Sequence, residues 1–344
     1  MYILRKISPL IIFRFAWKHL IFFALWACLA VLVFHYYDHK GINIAIPFLP
    51  LSTIGIAVSF YVGFKNNSAY DRFWEGRKIW GGIVNYSRTW GNQVLSFITE
   101  INNESGKMSC NVINEQQQLI YRHIAWLYAL KLQLRRPSSF SIKRSKSVQS
   151  LGEGQPERKH WNEEVLPFLN LQEYQEILNF TNPATQLIRR QGEALQDLAE
   201  KHDAINEFRF MEMMRVQEEF YNLQGKCERI KNTPFPRQYA HFSSIFTWIF
   251  MLLLPFGLVG LFVGMDTGAD AHSLMWLTVP FSTLISWIFY TMEVVGDSSE
   301  DPFEGFINDV PMNALCRTIE IDLREMLGEK DLPEKVLPEN GILM

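Results

Sequence analysis

The sequence predicts an all-α, polytopic membrane protein in which four transmembrane helices accompany a large helical cytoplasmic region. Strand signals are almost absent, and four stretches contain no Asp, Glu, Lys or Arg. Each stretch is long enough to cross about 30 Å of hydrocarbon at a rise of about 1.5 Å per residue. These spans run over residues 19–37, 41–64, 238–265 and 271–292.

The four spans form two hairpins, which divide the chain into four segments. These are an N-terminal segment with the first hairpin (1–64), a cytoplasmic helical region (65–237), the second hairpin (238–292) and a cytoplasmic C-terminal segment (293–344). Basic residues cluster before the first span, after the second and before the third, whereas Lys40 is the only Lys or Arg in the hairpin turns, the second of which carries Asp266 and Asp270. Cytoplasmic flanks are enriched in Lys and Arg, so both termini are predicted to lie on the cytoplasmic side of the inner (plasma) membrane.

The cytoplasmic segments are predicted to be helical, with loops between the helices. The predicted helices cover 70–97, 116–135, 163–180, 184 to about 231, and 314–327. Asn182 is placed to cap the fourth of these helices with Pro183 at its first position, and Gly328 is placed to end the last. The Ser- and Lys-rich stretch 138–150 is expected to be a mobile loop, and the residues after Gly328 are expected to be frayed.

Composition and motifs argue against several classes of function. The formal net charge is −3 and no basic stripe occurs, so no nucleic-acid partner is predicted. The chain contains no G-x-S-x-G, phosphate loop, dinucleotide fingerprint or H-E-x-x-H, so neither an enzymatic activity nor a required cofactor is predicted. The closest histidine pair, His35 and His39, flanks an outward helix end, where we expect a surface role in preference to a two-ligand metal site.

A narrow apolar stripe marks the second span. Ile56, Phe60 and Phe64 recur at i, i+4 and i+8, so they lie on one face of a helix. If several identical helices surround an axis, this stripe becomes stacked apolar rings that constrict a pore and gate it by dewetting. The alternative is ordinary packing against a neighbouring helix.

An acidic patch follows the last span. It consists of five carboxylates, those of Asp297, Glu300, Asp301, Glu304 and Asp309. Oxygen-rich clusters of this kind can hold calcium, but no D-x-D-x-D-G loop is present. The alternative is a solvated loop next to the membrane.

Four long strings carry a resemblance to a known family. They are GFKNNSAYDRFWEGRKIWGG, RHIAWLYALKLQLR, PFPRQYAHFSSIFTWIFMLLLPFGLV and EDPFEGFINDVPMNALCRTIEIDLREMLGE. From the first span to Gly328, the chain resembles the bacterial branch of the bestrophins. The resemblance implies a homopentamer, in which each chain joins four identical subunits in membrane lipid. In the implied assembly, the subunits surround an axial pore for small monovalent ions, chiefly chloride and other anions. It also implies that the neck of the pore consists of three apolar rings, which fall on Ile56, Phe60 and Phe64.

The resemblance further implies a second constriction near Asn182. The sequence does not select among its candidates, Ala184, Thr185, Leu187 and Ile188. Animal bestrophins bind calcium through a nearly unbroken acidic run after the fourth span. In this chain two serines and a proline interrupt the run, which argues against calcium gating. If a calcium site exists, the residues to consider are Glu300, Asp301 and Glu304.

The sign of the permeant ion depends on the residues that flank the neck. Lys65 follows Phe64, but one residue turns a helix by about 100°, which points Lys65 away from the axis. Asp71 and Glu75 return to within about 20° of Phe64, so acidic rings are predicted to favour cations in this chain. The alternative is that Asn66-Asn67 bends the helix and that Glu75 pairs with Lys78.

Assembly is open to a second interpretation. Trp74, Trp80, Trp90 and Trp126 lie among polar positions and are expected to pack in interfaces between subunits. A membrane-anchored helical scaffold with no conducting state would have the same helices and assembly. Ion flux through liposomes separates a channel from a scaffold.

Overall fold

The computed structural model describes residues 1–3, 9–99, 111–136, 157–265, 273–306, 308–339 and 341–344. Within these residues the regular structure is helical, and the β-pairing consists of isolated bridges. The predicted loop 138–150 and the hairpin residues Asp266 and Asp270 lie outside the described residues.

The described helices follow the chain in this order. They are α1 (Pro9–Asp38), α2 (Phe48–Phe97), α3 (Val112–Arg135), α4 (Glu157–Glu164), α5 (Leu171–Leu178), α6 (Pro183–Glu200), α7 (Glu207–Asn232), α8 (Arg237–Met265), α9 (Thr278–Ser298) and α10 (Met312–Met326). Short 3₁₀ turns, Leu166–Phe168 and Leu274–Leu277, precede α5 and α9.

Four helical segments of the described chain are long and apolar enough to cross a membrane. They are Ala16–Asp38, Phe48–Phe97, Arg237–Met265 and Leu274–Ser298. Each contains most of one predicted span. The second begins later than its predicted span, at Phe48 directly after Pro47, and it continues without interruption through the helix predicted over 70–97.

The chain divides into two compact units. The first, here called the core unit, consists of Met1–Ile3, Phe73–Thr233 and Asp301–Met344. The second, called the span unit, consists of Leu4–Arg72 and Pro234–Glu300, and it contains the apolar helices. The chain thus passes between units at 3/4, 72/73, 233/234 and 300/301. The last three compare with the predicted segment boundaries at 64/65, 237/238 and 292/293.

The core unit is built around buried aromatic side chains. Trp80, Trp90 and Trp126 are fully buried within the single chain, and the ring centroid of Trp126 lies 5.0 Å from that of Phe220. The expectation that these three tryptophans pack between subunits is therefore wrong, because the chain's own helices cover them. Trp74 alone of the four is exposed.

A histidine lies inside this aromatic core. The Nε2 atom of His123 is 2.9 Å from the hydroxyl oxygen of Ser87, and the imidazole is fully buried. Burial lowers its pKa from the usual 6.5 to about 3, because the charged form would lose its hydration. His123 is therefore neutral in the folded chain at physiological pH.

Two predicted helices are interrupted by local capping. The single helix expected over 184–231 is two helices, α6 and α7, separated where Asp203 adopts a positive φ of 58°. Asn206 then caps α7 by accepting a hydrogen bond from the N–H of Arg209 at 2.9 Å. The helix expected over 163–180 breaks in the same way, since Asn170 caps α5. The predicted cap of α6 is confirmed: Asn182 accepts from the N–H of Thr185 at 3.2 Å.

The C-terminal residues are not frayed as expected. Gly328 follows the end of α10 with a φ of 80°, as predicted. The chain beyond Gly328, however, pairs with the N-terminus. Tyr2 and Ile342 form an antiparallel bridge, and the N–H of Ile3 donates to the carbonyl of Gly341 at 2.9 Å. Pairing between distant ends of a chain leaves no local sequence signal, which is why the expectation was wrong.

A candidate pore-lining helix and its charged flanks

One face of α2 packs within the span unit. Its buried residues alternate at spacings of four and three, and they are Leu51, Gly55, Val58, Val62, Lys65 and Ala69. Leu51, Val58 and Val62 share a buried cluster with Phe250, Leu254 and Leu258 of α8. A Cβ on Gly55 would lie 2.8 Å from the ring of Phe250, so only glycine allows this approach. The face of α2 toward its own subunit is therefore fixed.

The predicted neck residues occupy the opposite face of α2. Ile56, Phe60 and Phe64 are 68%, 65% and 53% exposed in the single chain. At about 100° per residue, Phe60 lies about 180° around the helix from the centre of the buried line. The rings of Phe60 and Phe64 contact each other edge to face, with centroids 5.2 Å apart. The structure thus leaves the whole stripe available to something outside the chain.

Lys65 is turned away from this stripe and is held by two carboxylates of α9. Its Nζ lies 2.6 Å from Glu293 Oε1 and 2.6 Å from Asp297 Oδ1, and the Lys65 side chain is 3% exposed. A Cβ on Gly296 would lie 2.2 Å from Asn66 Oδ1, so glycine permits α9 to approach α2 closely. Removing a partner from a buried ion pair is costly, so this pair fixes the rotation of α2 about its axis.

Sequence reasoning missed Glu293 and Asp297, although a signal was present. Lys65 is the first charge after the second predicted span, and Glu293 is the first charge after the fourth. Opposite charges that begin at the same depth of two neighbouring spans are candidates for a buried pair, because each lowers the cost of placing the other near hydrocarbon.

The helix does not break at Asn66-Asn67, since α2 continues without interruption from Phe48 to Phe97. Asp71 is exposed and accepts a hydrogen bond from Asn67 Nδ2 at 3.3 Å. Glu75 does not pair with Lys78. Its carboxylate instead forms an ion pair with the guanidinium of Arg229 in α7. The predicted Glu75–Lys78 pair is therefore wrong, but Glu75 is also not an isolated charge.

Three of the four candidates for the second constriction are buried in the core unit. Ala184, Leu187 and Ile188 have no exposed surface, because the apolar face of α6 packs into the chain's own core. They cannot line an aperture in this conformation, and this part of the prediction is wrong. Thr185 is partly exposed, and its hydroxyl accepts a hydrogen bond from Gln224 Nε2 at 2.7 Å.

Four of the five carboxylates of the acidic patch contact the chain's own cations or backbone amides. Glu300 Oε1 lies 3.3 Å from Arg237 Nη1 in the span unit, and Glu304 Oε1 lies 3.0 Å from Lys231 Nζ in the core unit. Asp309 accepts from the backbone N–H of Gly305 at 2.7 Å. Among the described residues no group of three or more His, Cys, Asp or Glu side chains could hold a metal ion. Two of the three calcium candidates, Glu300 and Glu304, are thus paired with cations of the chain itself.

Comparison with known proteins is consistent with this geometry. A model of the bacterial/fungal bestrophin proteins matches residues 6–325. The voltage-dependent anion channel-forming protein YneE of Escherichia coli (strain K12) is 27% identical over 98% of this chain and 92% of its own length. The voltage-dependent anion channel-forming protein mll4386 of Mesorhizobium japonicum is 31% identical over 84% of this chain and 77% of its own length.

Solved structures give the same result. The crystal structure of a bacterial bestrophin homologue from Klebsiella pneumoniae matches with a TM-score of 0.71 and 25% identity, covering 91% of this chain and 98% of that chain. The apolar helices and the family match together define a membrane protein, and both of the relatives named above are described as anion channel-forming proteins. The chain belongs to the bacterial/fungal bestrophin family.

Proposed function

We propose that the chain is the subunit of a homopentameric anion channel of the inner membrane, with both termini in the cytoplasm. Ile56, Phe60 and Phe64 of the subunits form the apolar neck of its axial pore, which small monovalent anions such as chloride cross partly dehydrated. The observation that carries the proposal is the exposure of all three side chains on the face of α2 opposite its packing face.

The continuation of this face supports a pore in preference to lipid. Asp71 lies seven residues beyond Phe64, about 10 Å along the helix and within about 20° of the same direction. A lipid-facing stripe gains nothing from a carboxylate on its own face, because a charge near hydrocarbon is costly. A stripe that opens into an aqueous vestibule accommodates one.

Anion passage is favoured over the cation passage that the acidic residues suggested. The Arg229 guanidinium offsets the charge of Glu75, so the predicted ring of Glu75 carboxylates has little field of its own. Relatives covering most of the chain are named as voltage-dependent anion channel-forming proteins. Asp71 remains as an acidic group on this face, and we expect it to reduce the preference for anions without reversing it.

The channel we propose does not require calcium. Lys231 and Arg237 occupy positions beside Glu304 and Glu300, where they supply the positive charge that a metal would otherwise bring. For the second constriction we retain Thr185 alone, since it is the candidate with exposed surface.

Reversal potentials test this function. The protein is purified in detergent, where its oligomeric mass is measured. It is then reconstituted into liposomes and planar bilayers, and currents are recorded across gradients of sodium chloride. We expect a pentamer whose reversal potential follows the chloride gradient. An intact pentamer without flux would support the scaffold interpretation, and a reversal potential that follows sodium would show that the acidic residues control selectivity.

A further inference from the structure

Two histidines lie together at the C-terminal end of α1 in the span unit. His35 is in the last turn of α1, and the N–H of His39 donates to the carbonyl of His35 at 3.2 Å. The helical hydrogen-bond pattern therefore continues to His39. Residues four apart are neighbours on a helix surface, so both imidazoles share one face.

The two ring nitrogens are separated by the distance that cis coordination of a metal requires. The Nε2 atoms are 3.0 Å apart, and the ring planes are inclined by 70° with centroids at 4.3 Å. An imidazole nitrogen binds zinc at about 2.0–2.1 Å. Two such bonds place the nitrogens about 2.9 Å apart at a right angle and about 3.3 Å apart at a tetrahedral angle. The observed separation falls within this range.

In place of the surface role expected from the sequence, we propose that His35 and His39 form a binding site for a divalent transition metal that prefers imidazole ligands: copper, nickel or zinc. Water completes the coordination, because the described residues contain no group of three or more His, Cys, Asp or Glu side chains suited to a metal. The site is independent of ion conduction and stands on the geometry of the helix end alone.

The electrostatics of this helix end favour a cation. The C-terminus of a helix carries a partial negative charge from carbonyl groups that lack helical partners. The neighbouring ammonium of Lys40 is held on Tyr36, with Nζ 2.6 Å from the hydroxyl and 4.3 Å from the ring centroid. A direct hydrogen bond between the two imidazoles would have the same length as the observed separation, so binding measurements must separate the two arrangements.

Titration with NiCl₂ and CuCl₂ provides the test. Tag-free protein in metal-free buffer is titrated by calorimetry, and its Cu²⁺ complex is examined by electron paramagnetic resonance. We expect one ion per chain, with a nitrogen hyperfine pattern from two imidazoles. Binding should weaken at least tenfold in His35→Ala and in His39→Ala, and it should be unchanged in His241→Ala, which removes an exposed histidine on α8.

A spacing variant keeps the number of histidines constant. His39→Ala combined with Lys40→His moves the second imidazole from i+4 to i+5, into the turn that follows α1. Because the pair then leaves the i, i+4 spacing that puts two side chains on one helix face, this variant should bind no better than His39→Ala. Absence of binding at millimolar metal would overturn the proposal. So would a one-nitrogen copper spectrum, or equal affinity of the wild type and a His39→Ala protein that elutes as the wild type does.

Discussion

Two apolar stripes that look alike in the sequence have opposite fates in the structure. Ile56, Phe60 and Phe64 on α2 are exposed, whereas Leu187 and Ile188 on α6 are completely buried. On α6 the opposite face carries polar residues such as Arg189 and Glu193, so its apolar face is the natural core-packing face. On α2 a second line of small and branched residues already fills that role, and the aromatic stripe is left over.

The comparison teaches how an apolar stripe can be assigned. A stripe is a candidate for an external surface when the same helix has another apolar face that satisfies its packing. A stripe is a core-packing face when the helix has no other apolar face. The following predictions test this distinction, beginning with Lys65, whose ion pair determines which face of α2 packs within the subunit and which is exposed.

Removal of the Lys65 ammonium should have the largest effect. Lys65→Met leaves Glu293 buried without its cation, and breaking a buried ion pair costs about 3–5 kcal/mol. The matched control is Arg189→Met, whose pair with Glu193 is solvent-exposed and contributes less than about 1 kcal/mol. Thermal unfolding in detergent measures both. Equal stability of the two variants would show that the Lys65 pair does not anchor α2.

The buried stripe should respond in stability and the exposed stripe should not. Ile188→Ala creates a cavity in the core unit and should cost about 2–5 kcal/mol. Phe60→Ala removes a side chain that the chain's own core does not contain, so the folded subunit should lose much less. The melting temperatures of the two variants in detergent give the comparison, and a greater loss in Phe60→Ala would reverse our assignment of the two faces.

The core unit should lose stability in mild acid because of His123. Its pKa is about 3 when folded and 6.5 when unfolded, so between these values the unfolded chain binds the additional proton. The free energy of unfolding should therefore fall as pH falls below 6.5, by at most about 1.4 kcal/mol per pH unit from this group. Above pH 6.5 the group contributes no slope. Denaturant titrations of wild type and His123→Gln between pH 7.5 and 5 measure the difference, and identical slopes would contradict the prediction.

The charged flank should give the smallest effect. Glu75 and Arg229 are both partly exposed, so Glu75→Gln should change stability by less than about 1 kcal/mol. Neither Glu75→Gln nor Asp71→Asn should reverse the sign of the selected ion. Permeability ratios of chloride to sodium in the two variants test this, and a change from cation to anion preference on neutralising either residue would restore the acidic-vestibule hypothesis.

The helices of the span unit could be predicted from the sequence more readily than the partners of its charged residues. Long charge-free stretches and a strict i, i+4, i+8 spacing are local signals, so the four apolar helices and the stripe of Ile56, Phe60 and Phe64 were read directly. The pair of Lys65 with Glu293 joins residues distant in the chain, and its sequence signal is only that each is the first charge after a span. The pair of Lys231 with Glu304 is also long-range, and nothing local indicates it. The same holds for the pairing of Tyr2 with Ile342.

Errors in the core unit have a different cause. The break between α6 and α7 depends on one positive φ at Asp203 and one cap at Asn206, in a stretch whose composition is compatible with a continuous helix. The aperture candidates were chosen by position near Asn182, and position along a helix does not reveal which face is buried. Comparing both faces of α6 for polarity would have excluded Leu187 and Ile188.

The conductance of Phe60→Ala channels tests the central claim most directly. If Phe60 lies at the neck, truncation widens an apolar constriction and water enters it more readily, so single-channel conductance in planar bilayers should rise severalfold. Phe64→Ala should act in the same direction. Phe281→Ala, which truncates an exposed aromatic side chain on α9, is the control and should leave the conductance unchanged. Unchanged conductance in correctly assembled Phe60→Ala and Phe64→Ala channels would contradict the assignment and return the stripe to ordinary packing.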